Sequence, residues 1–249
     1  MVDVVSLRLV AALIVGGVLV QSPEDLLRRS DVGALAPASF RARLSLRRPP
    51  QTESHEVEVW RSGESKTLMR FLDPKERGKY LLRLQGQLWF LAPGAKEPLR
   101  VGPSYRLYGG ATLDEVLGLR LAQEYEVERT TEESDSGGAL VVLELRAKSG
   151  NSLFPQVRYV VRAATERPVN AVYRLRSGRA ATSVEFVEWH EGSPLYARRV
   201  LVKDLLRNGE STEVDVLELQ ERPVPQALFD LRDRAARRAL EVTKPASPD

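Results

Sequence analysis

From Phe40 onward, apolar and polar residues alternate with a period of two along most of the chain. Phe40, Ala42, Leu44 and Leu46 interleave with Arg41, Arg43, Ser45 and Arg47, which predicts a strand with one buried face. Pro49-Pro50 ends it, and Val57 and Val59 alternate with Glu56 and Glu58 in the next. A third strand covers Thr67 to Leu72. Tyr80–Leu84 and Leu88–Leu91 flank Gln85-Gly86-Gln87, the pattern of a tight hairpin. Further strands are predicted at Tyr125–Arg129, Leu140–Leu145, Val157–Arg162, Ala171–Arg176, Ser183–Trp189, Tyr196–Lys203 and Thr212–Leu219. Turn signals such as Ser136-Gly137-Gly138, Ser177-Gly178 and Asn208-Gly209 separate most of them. About a dozen hairpin-connected strands without a βαβ rhythm predict a single, strongly curved antiparallel sheet spanning 40–219.

Helical signals lie at the ends and in one central excursion. Ser22-Pro23-Glu24-Asp25 is helix-start chemistry, and Leu26 and Leu27 give that short helix an apolar edge ending near Gly33. Residues 102–112 are rich in Gly, Pro, Ser and Tyr and predict an irregular segment, followed by a short capped helix over Thr112–Gly118. Pro225–Leu240 reads as a closing helix with Leu228, Phe229, Leu231 and Ala235 on one side. Residues 243–249 read as a frayed tail.

Before all of these, Leu9 to Val20 is an unbroken apolar run preceded by Arg8. A spanning helix needs about 20 residues, whereas an export-signal core needs about 7–15. Residues 1–22 are therefore expected to be a signal peptide. A retained N-terminal anchor or a buried core segment are the alternatives, since Asp3 sits among the expected positive charges and no Ala-x-Ala site follows. Residues 23–242 are expected to form one domain, in an exported, periplasmic protein.

Composition narrows the chemistry. The chain has 249 residues, 43% hydrophobic and 29% charged, with a net charge of +3. Lys and Arg are interleaved with Asp and Glu rather than gathered on one element, which argues against nucleic-acid binding. Cysteine is absent, removing disulfides, thiolate metal sites, thiol catalysis and a lipobox together. Only His55 and His190 could serve a metal or a triad. Asp114-Glu115 fits a helix first turn. Glu185, Glu188, His190 and Glu191, like His55 beside Glu53 and Glu56, fit solvated strand ends. The expectation is a protein without catalytic residues, metal or cofactor.

The strands are not uniformly polar on their second face. Trp60, Met69, Phe71, Trp89 and Trp189 fall on the opposite parity from Val57, Leu68, Leu88 and Phe186. Either a helix or loop covers part of that face, or a curved sheet encloses an apolar groove with aromatics at its rim.

Residues 67–101 resemble the signature of the LolA-like outer-membrane lipoprotein-sorting family. The resemblance is carried by Arg70-Phe71, Pro74, Gly78, Leu81-Leu82, Leu88-Trp89, Pro93 and Arg100-Val101. Tyr108-Gly109-Gly110-Ala111-Thr112-Leu113-Asp114-Glu115 is a shortened relative of a Gly-Ser-Asp-Phe-type stretch in that family, so cargo or partner could differ here. The resemblance implies a mainly β fold: an unclosed antiparallel half-barrel whose concave side is covered by helices. It also implies a monomeric carrier of the acyl chains of lipids or lipoproteins, without a cofactor, working with a membrane transporter or outer-membrane acceptor. An acyl chain in water costs about 0.8 kcal/mol per CH₂, so crossing an aqueous compartment needs an apolar sleeve.

Strand parity and this resemblance together nominate Phe40, Leu44, Val57, Val59, Leu82, Tyr159 and Phe186 as walls of a lipid-binding cavity. Phe229 would sit on the covering helix, and a void of several hundred Å³ is expected. The competing readings are an envelope sensor or interaction module of the same fold that binds a membrane-protein partner, and an enzyme such as a lipid hydrolase.

Overall fold

The computed structural model describes residues 22–32, 36–63, 65–102, 105–107, 111–112, 120–207 and 210–242. The apolar run Leu9–Val20, residues 113–118 of the expected central helix, the Asn208-Gly209 turn and the tail 243–249 lie outside the described residues. Among the described residues, no helix is long and apolar enough to cross a membrane.

Helix α1 (Pro23–Ser30) starts as its sequence dictates. The Ser22 hydroxyl accepts a hydrogen bond from the Asp25 amide at 3.1 Å, proline enters the first turn, and Arg28 and Arg29 close the last one. Then follow β1 (Ser39–Arg47), β2 (Ser54–Ser62), β3 (Lys66–Phe71), β4 (Tyr80–Leu84), β5 (Gln87–Leu91) and β6 (Leu99–Val101). The one-turn helix α2 (Leu121–Glu124) leads into β7 (Tyr125–Asp135), β8 (Gly138–Ala147), β9 (Gln156–Arg162), β10 (Pro168–Arg174), β11 (Ala180–Trp189), β12 (Ala197–Asp204) and β13 (Ser211–Glu221). The β4–β5 turn is a two-residue hairpin with Gln85 and Gly86 at φ of 48° and 77°, the doubly positive geometry whose twist matches the flanking strands.

All thirteen strands join one antiparallel sheet in the order β6-β5-β4-β3-β2-β1-β13-β12-β11-β10-β9-β8-β7. The first and last strands in sequence pair at its centre, and β6 and β7 are its two edges. The sheet does not close. The connection between β6 and β7 must therefore pass from one edge to the other.

One face, here called inner, carries two apolar clusters. Phe40, Leu44, Val57, Val59, Met69, Phe71 and Leu81 fill one half. Leu143, Leu145, Val157, Tyr159, Val161 and Tyr173 fill the other. Val200 packs against both. Described residues of the β6–β7 connection lie on this face: Leu107 is buried in the first cluster, and Ala111 and Leu121 in the second. Leu27 of α1, only 2% exposed, also joins the second cluster, burial worth about 1.5–3 kcal/mol.

The outer face is apolar only locally. Trp60, Leu68, Tyr80, Leu82 and Leu91 form a patch covered by Val224, Leu228 and Phe229 of the C-terminal segment. That segment is not one helix. A 3₁₀ turn (Gln226–Phe229) is separated from α3 (Arg234–Val242) by an extended break at Asp230. Leu140, Val142 and Val160 make a second, smaller apolar cluster on the outer face, which also carries cross-strand ion pairs. Glu58, 2% exposed, lies between Arg41 and Arg70, and Arg199 pairs with Asp215 at 2.6 Å.

Two of the expectations above are corrected here. Met69 and Phe71 pair with Val59 and Val57 and share the inner face with them, whereas Leu68 pairs with Trp60 and lies outside. The closing helical segment covers the outer patch, not the inner face.

Candidate functional site

An apolar cavity of about 80 Å³ lies on the inner face. Its walls come from five neighbouring strands: Tyr173 of β10, Val184 and Phe186 of β11, Ala197 and Val200 of β12, Val214, Val216 and Leu219 of β13, and Phe40, Ala42 and Leu44 of β1. Strands sit about 4.8 Å apart, so β10 and β1 would be about 19 Å apart on a flat sheet. Side chains from both can line one small cavity only because the sheet curves around it. Val32 and Ala36, in the segment after α1, line its remaining side, and Tyr196 stands at one end. Among the described residues, no charged side chain lines it.

The register explains this composition. Pairing of β1 with β13 sets Leu44 against Val216, Leu46 against Val214 and Ala42 against Leu219. Two bulges tune the walls. An extra residue, Leu217, opposite Arg43/Leu44 turns outward and is 47% exposed, while Val187 beside Phe186 is 57% exposed. Each bulge sends one apolar side chain to solvent and bends the strand that lines the cavity.

The covering elements are held by polar contacts at their edges. The Tyr159 hydroxyl donates to the Ser30 carbonyl at 2.5 Å. Arg29 binds Glu166 through two hydrogen bonds of 2.7 and 3.0 Å, and this bonding holds the Glu166 carboxyl below its ordinary range. The Asp31 carboxylate accepts from the Ala122 amide at 2.9 Å, tying α1 to α2. Arg106, in the β6–β7 connection, pairs with Asp204 at 3.1 Å. Burial raises the Glu124 pKa and lowers that of Arg83; the charge of each partly offsets the shift of the other. Arg83 is on β4 and Glu124 ends α2, so this interaction also ties the crossing segment to the sheet.

Of the nominated lipid-binding residues, Phe40, Leu44 and Phe186 line the cavity. Val57, Val59 and Tyr159 share its face and are fully buried in the flanking clusters. Leu82 and Phe229 are not brought to it: both belong to the outer patch. Leu82 pairs with Leu68 and Trp89, so it inherits their side of the sheet. The walls from β12 and β13 were missed, although the period-two runs Val200/Val202 and Val214/Val216 carry the signal. Only knowledge that β13 lies beside β1 would have used it. The cavity is also smaller than expected, with room for roughly half a dozen water-sized groups.

His55 Nδ1 lies 2.6 Å from Asp73 Oδ2, and His190 stacks on Tyr196 at 4.6 Å between ring centroids. Glu185 pairs with Lys203, Glu188 with Arg198 and Glu191 with Arg167. Among the described residues, no group of three metal-capable side chains converges.

Residues 63–233 match a family model described as "Uncharacterized protein". The chain belongs to that family and has the LolA-like fold. It is similar to a LolA superfamily protein of Nitrosomonas europaea, with 21% identity and a TM-score of 0.73, covering 83% of this chain and 96% of that one. A putative outer membrane lipoprotein-sorting protein domain of Vibrio parahaemolyticus is similar at 17% identity and TM-score 0.67, over 83% and 95% of the two chains. A DUF1329 family protein of Desulfovibrio piger is similar at 17% identity and TM-score 0.68, over 86% and 96%. No curated protein matches the sequence.

Proposed function

We propose that this LolA-like chain is a non-enzymatic periplasmic carrier that takes acyl chains of lipids or lipoproteins into the inner-face cavity. The observation that carries the reading is the cavity wall, which is aliphatic or aromatic throughout. Such a wall offers an acyl chain an environment largely like its own, the tyrosine hydroxyls of Tyr173 and Tyr196 excepted. Phe40, Leu44 and Phe186 contact the chain directly, and Val57, Val59 and Tyr159 form the floor to either side.

The resting volume is too small for a long acyl chain, so loading requires the cover to move. That cover is α1 with Val32 and Ala36, together with the described residues of the β6–β7 connection. The polar contacts described at its edges are each a modest barrier, whereas the sheet is one continuous hydrogen-bonded body. Opening would thus displace the cover and leave the walls in place. Residues 23–242 act as one domain, with residues 1–22 as the export signal and a membrane transporter or acceptor as the further partner.

Mass spectrometry of organic extracts from protein purified out of the periplasm tests this reading. A stoichiometric acylated lipid or lipoprotein is expected. Extracts free of acyl species, from folded protein made in a lipid-replete host, would count against it.

A further inference from the structure

A second cavity, of about 180 Å³, lies on the other side of the sheet, between the β5–β6 loop and α3. Three arginines of one helix converge on it, Arg234, Arg237 and Arg238, against one carboxylate among the described lining residues, that of Glu97. From this convergence we infer a binding site for a phosphate group.

The arginines differ in what already holds them. Arg234 donates to the carbonyls of Ala95 (2.6 Å) and Lys96, tying the loop to the helix. Arg237 is 3% exposed and donates to the carbonyls of Asp230 and Leu231, the latter at 3.0 Å. Its own carbonyl accepts from the Tyr80 hydroxyl at 3.0 Å. None of these partners is a carboxylate. Asp230 and Asp233 are close enough to offset part of that burial, and one oxygen of each also accepts a backbone amide, from Arg232 and Ala236. Burial accordingly lowers the Arg237 pKa, with only partial relief from Tyr80 and those two aspartates. Burying a guanidinium without a direct anionic partner is costly, and two more arginines share the cavity wall.

Among the described side chains that line the cavity, three are cationic and one is anionic. A phosphate monoester carries about −1.5 to −2 at neutral pH, so it would offset the excess of arginine at this wall. The planar guanidinium fork matches phosphate oxygens in pairs. The volume holds about a dozen water-sized groups, so the phosphate can be carried on a larger body, either a lipid headgroup or a soluble phosphorylated compound. The site stands apart from the inner cavity, so it is independent of the carrier reading.

The test is calorimetric titration of the full protein with glycerol 3-phosphate in phosphate-free buffer. Arg234→Gln and Arg238→Gln are compared with Arg198→Gln, which alters an exposed arginine of β12. Arg237 is avoided because it braces the chain before α3. Saturable 1:1 binding is expected, weakened at least five-fold by Arg234→Gln and by Arg238→Gln and unchanged in Arg198→Gln, with near-ultraviolet circular dichroism confirming each fold. A vesicle-flotation arm compares phosphatidylcholine with and without phosphatidic acid. Arg238-dependent flotation identifies a headgroup as the source, and titration without flotation identifies a soluble phosphate. No saturable binding, or equal affinity in wild type and Arg238→Gln, overturns the site.

Discussion

Tyr159 and Ser30 are 129 residues apart in sequence, and the tyrosine hydroxyl donates to the serine carbonyl at 2.5 Å. The ring is fully buried in the inner cluster, so this bond anchors the end of α1 from inside the sheet. Tyr159→Phe keeps the ring and strands a buried carbonyl, at about 1–3 kcal/mol. Amide exchange in residues 23–32 should accelerate while exchange in β8–β10 changes little. Uniform acceleration across the sheet would mean that Tyr159 supports the core and not the cover.

The outer anchor of α1 responds to acid. Hydrogen bonding from Arg29 depresses the Glu166 pKa below its ordinary 4.5. The unfolded or detached state therefore binds the proton at higher pH than the closed one. The stabilisation is complete above that ordinary value and is lost as pH falls through the depressed one. The pair is exposed, so its share is small, within about 1 kcal/mol. Proteolytic cleavage after Arg28 or Arg29 should be constant from pH 7 to 5 with an acid-tolerant protease and rise below that, and Glu166→Gln should cleave at the acid rate throughout. A flat profile in wild type would remove Glu166 from the anchor.

Much of this architecture was legible in the sequence because period two is a local property. The alternation Phe40/Ala42/Leu44/Leu46 is set by the pleat itself. What it does not reveal is which parity of the next strand shares a face, since this depends on turn length and bulges. Leu68 was grouped with Val57 for that reason, and Leu82 was placed in the cavity when its pairing with Leu68 puts it outside. The bulge residues Val187 and Leu217 break their strands' alternation only by register with a partner strand. Phe229 was assigned to the inner face because a helix must bury its apolar side, and the strands offered two apolar faces. The pairing of β1 with β13, which builds the cavity, leaves no local trace.

The ion pairs around Glu58 make a separate prediction. Its carboxylate is 2% exposed between Arg41 and Arg70, and Arg70 is 4% exposed. Arg70 also donates to the Leu240 carbonyl, joining the sheet to α3. Glu58→Ala leaves a buried guanidinium uncompensated and should cost about 3–5 kcal/mol in urea unfolding. Arg41→Ala should cost less, because Arg41 is 21% exposed. Equal costs would show that burial does not set the energy of this triad.

Leu82 separates the two faces by experiment. Leu82→Ala should cost about 2–5 kcal/mol by opening a cavity beneath the C-terminal segment. Fatty-acid affinity per folded molecule should stay within about two-fold of wild type. A large loss of affinity at unchanged α3 protection would return Leu82 to the binding site.

The most direct test of the carrier reading is fluorescent fatty-acid titration of wild type, Val200→Glu and Leu217→Glu. Val200 lines the inner cavity between the two clusters, and Leu217 points to solvent from the neighbouring strand. A carboxylate at Val200 would have to be desolvated against an acyl chain, a penalty of several kcal/mol, whereas one at Leu217 stays in water. The account predicts saturable binding by wild type and Leu217→Glu, and at least a ten-fold loss in Val200→Glu with its circular dichroism intact. Absence of binding in wild type, or equal affinity in Val200→Glu, would contradict it.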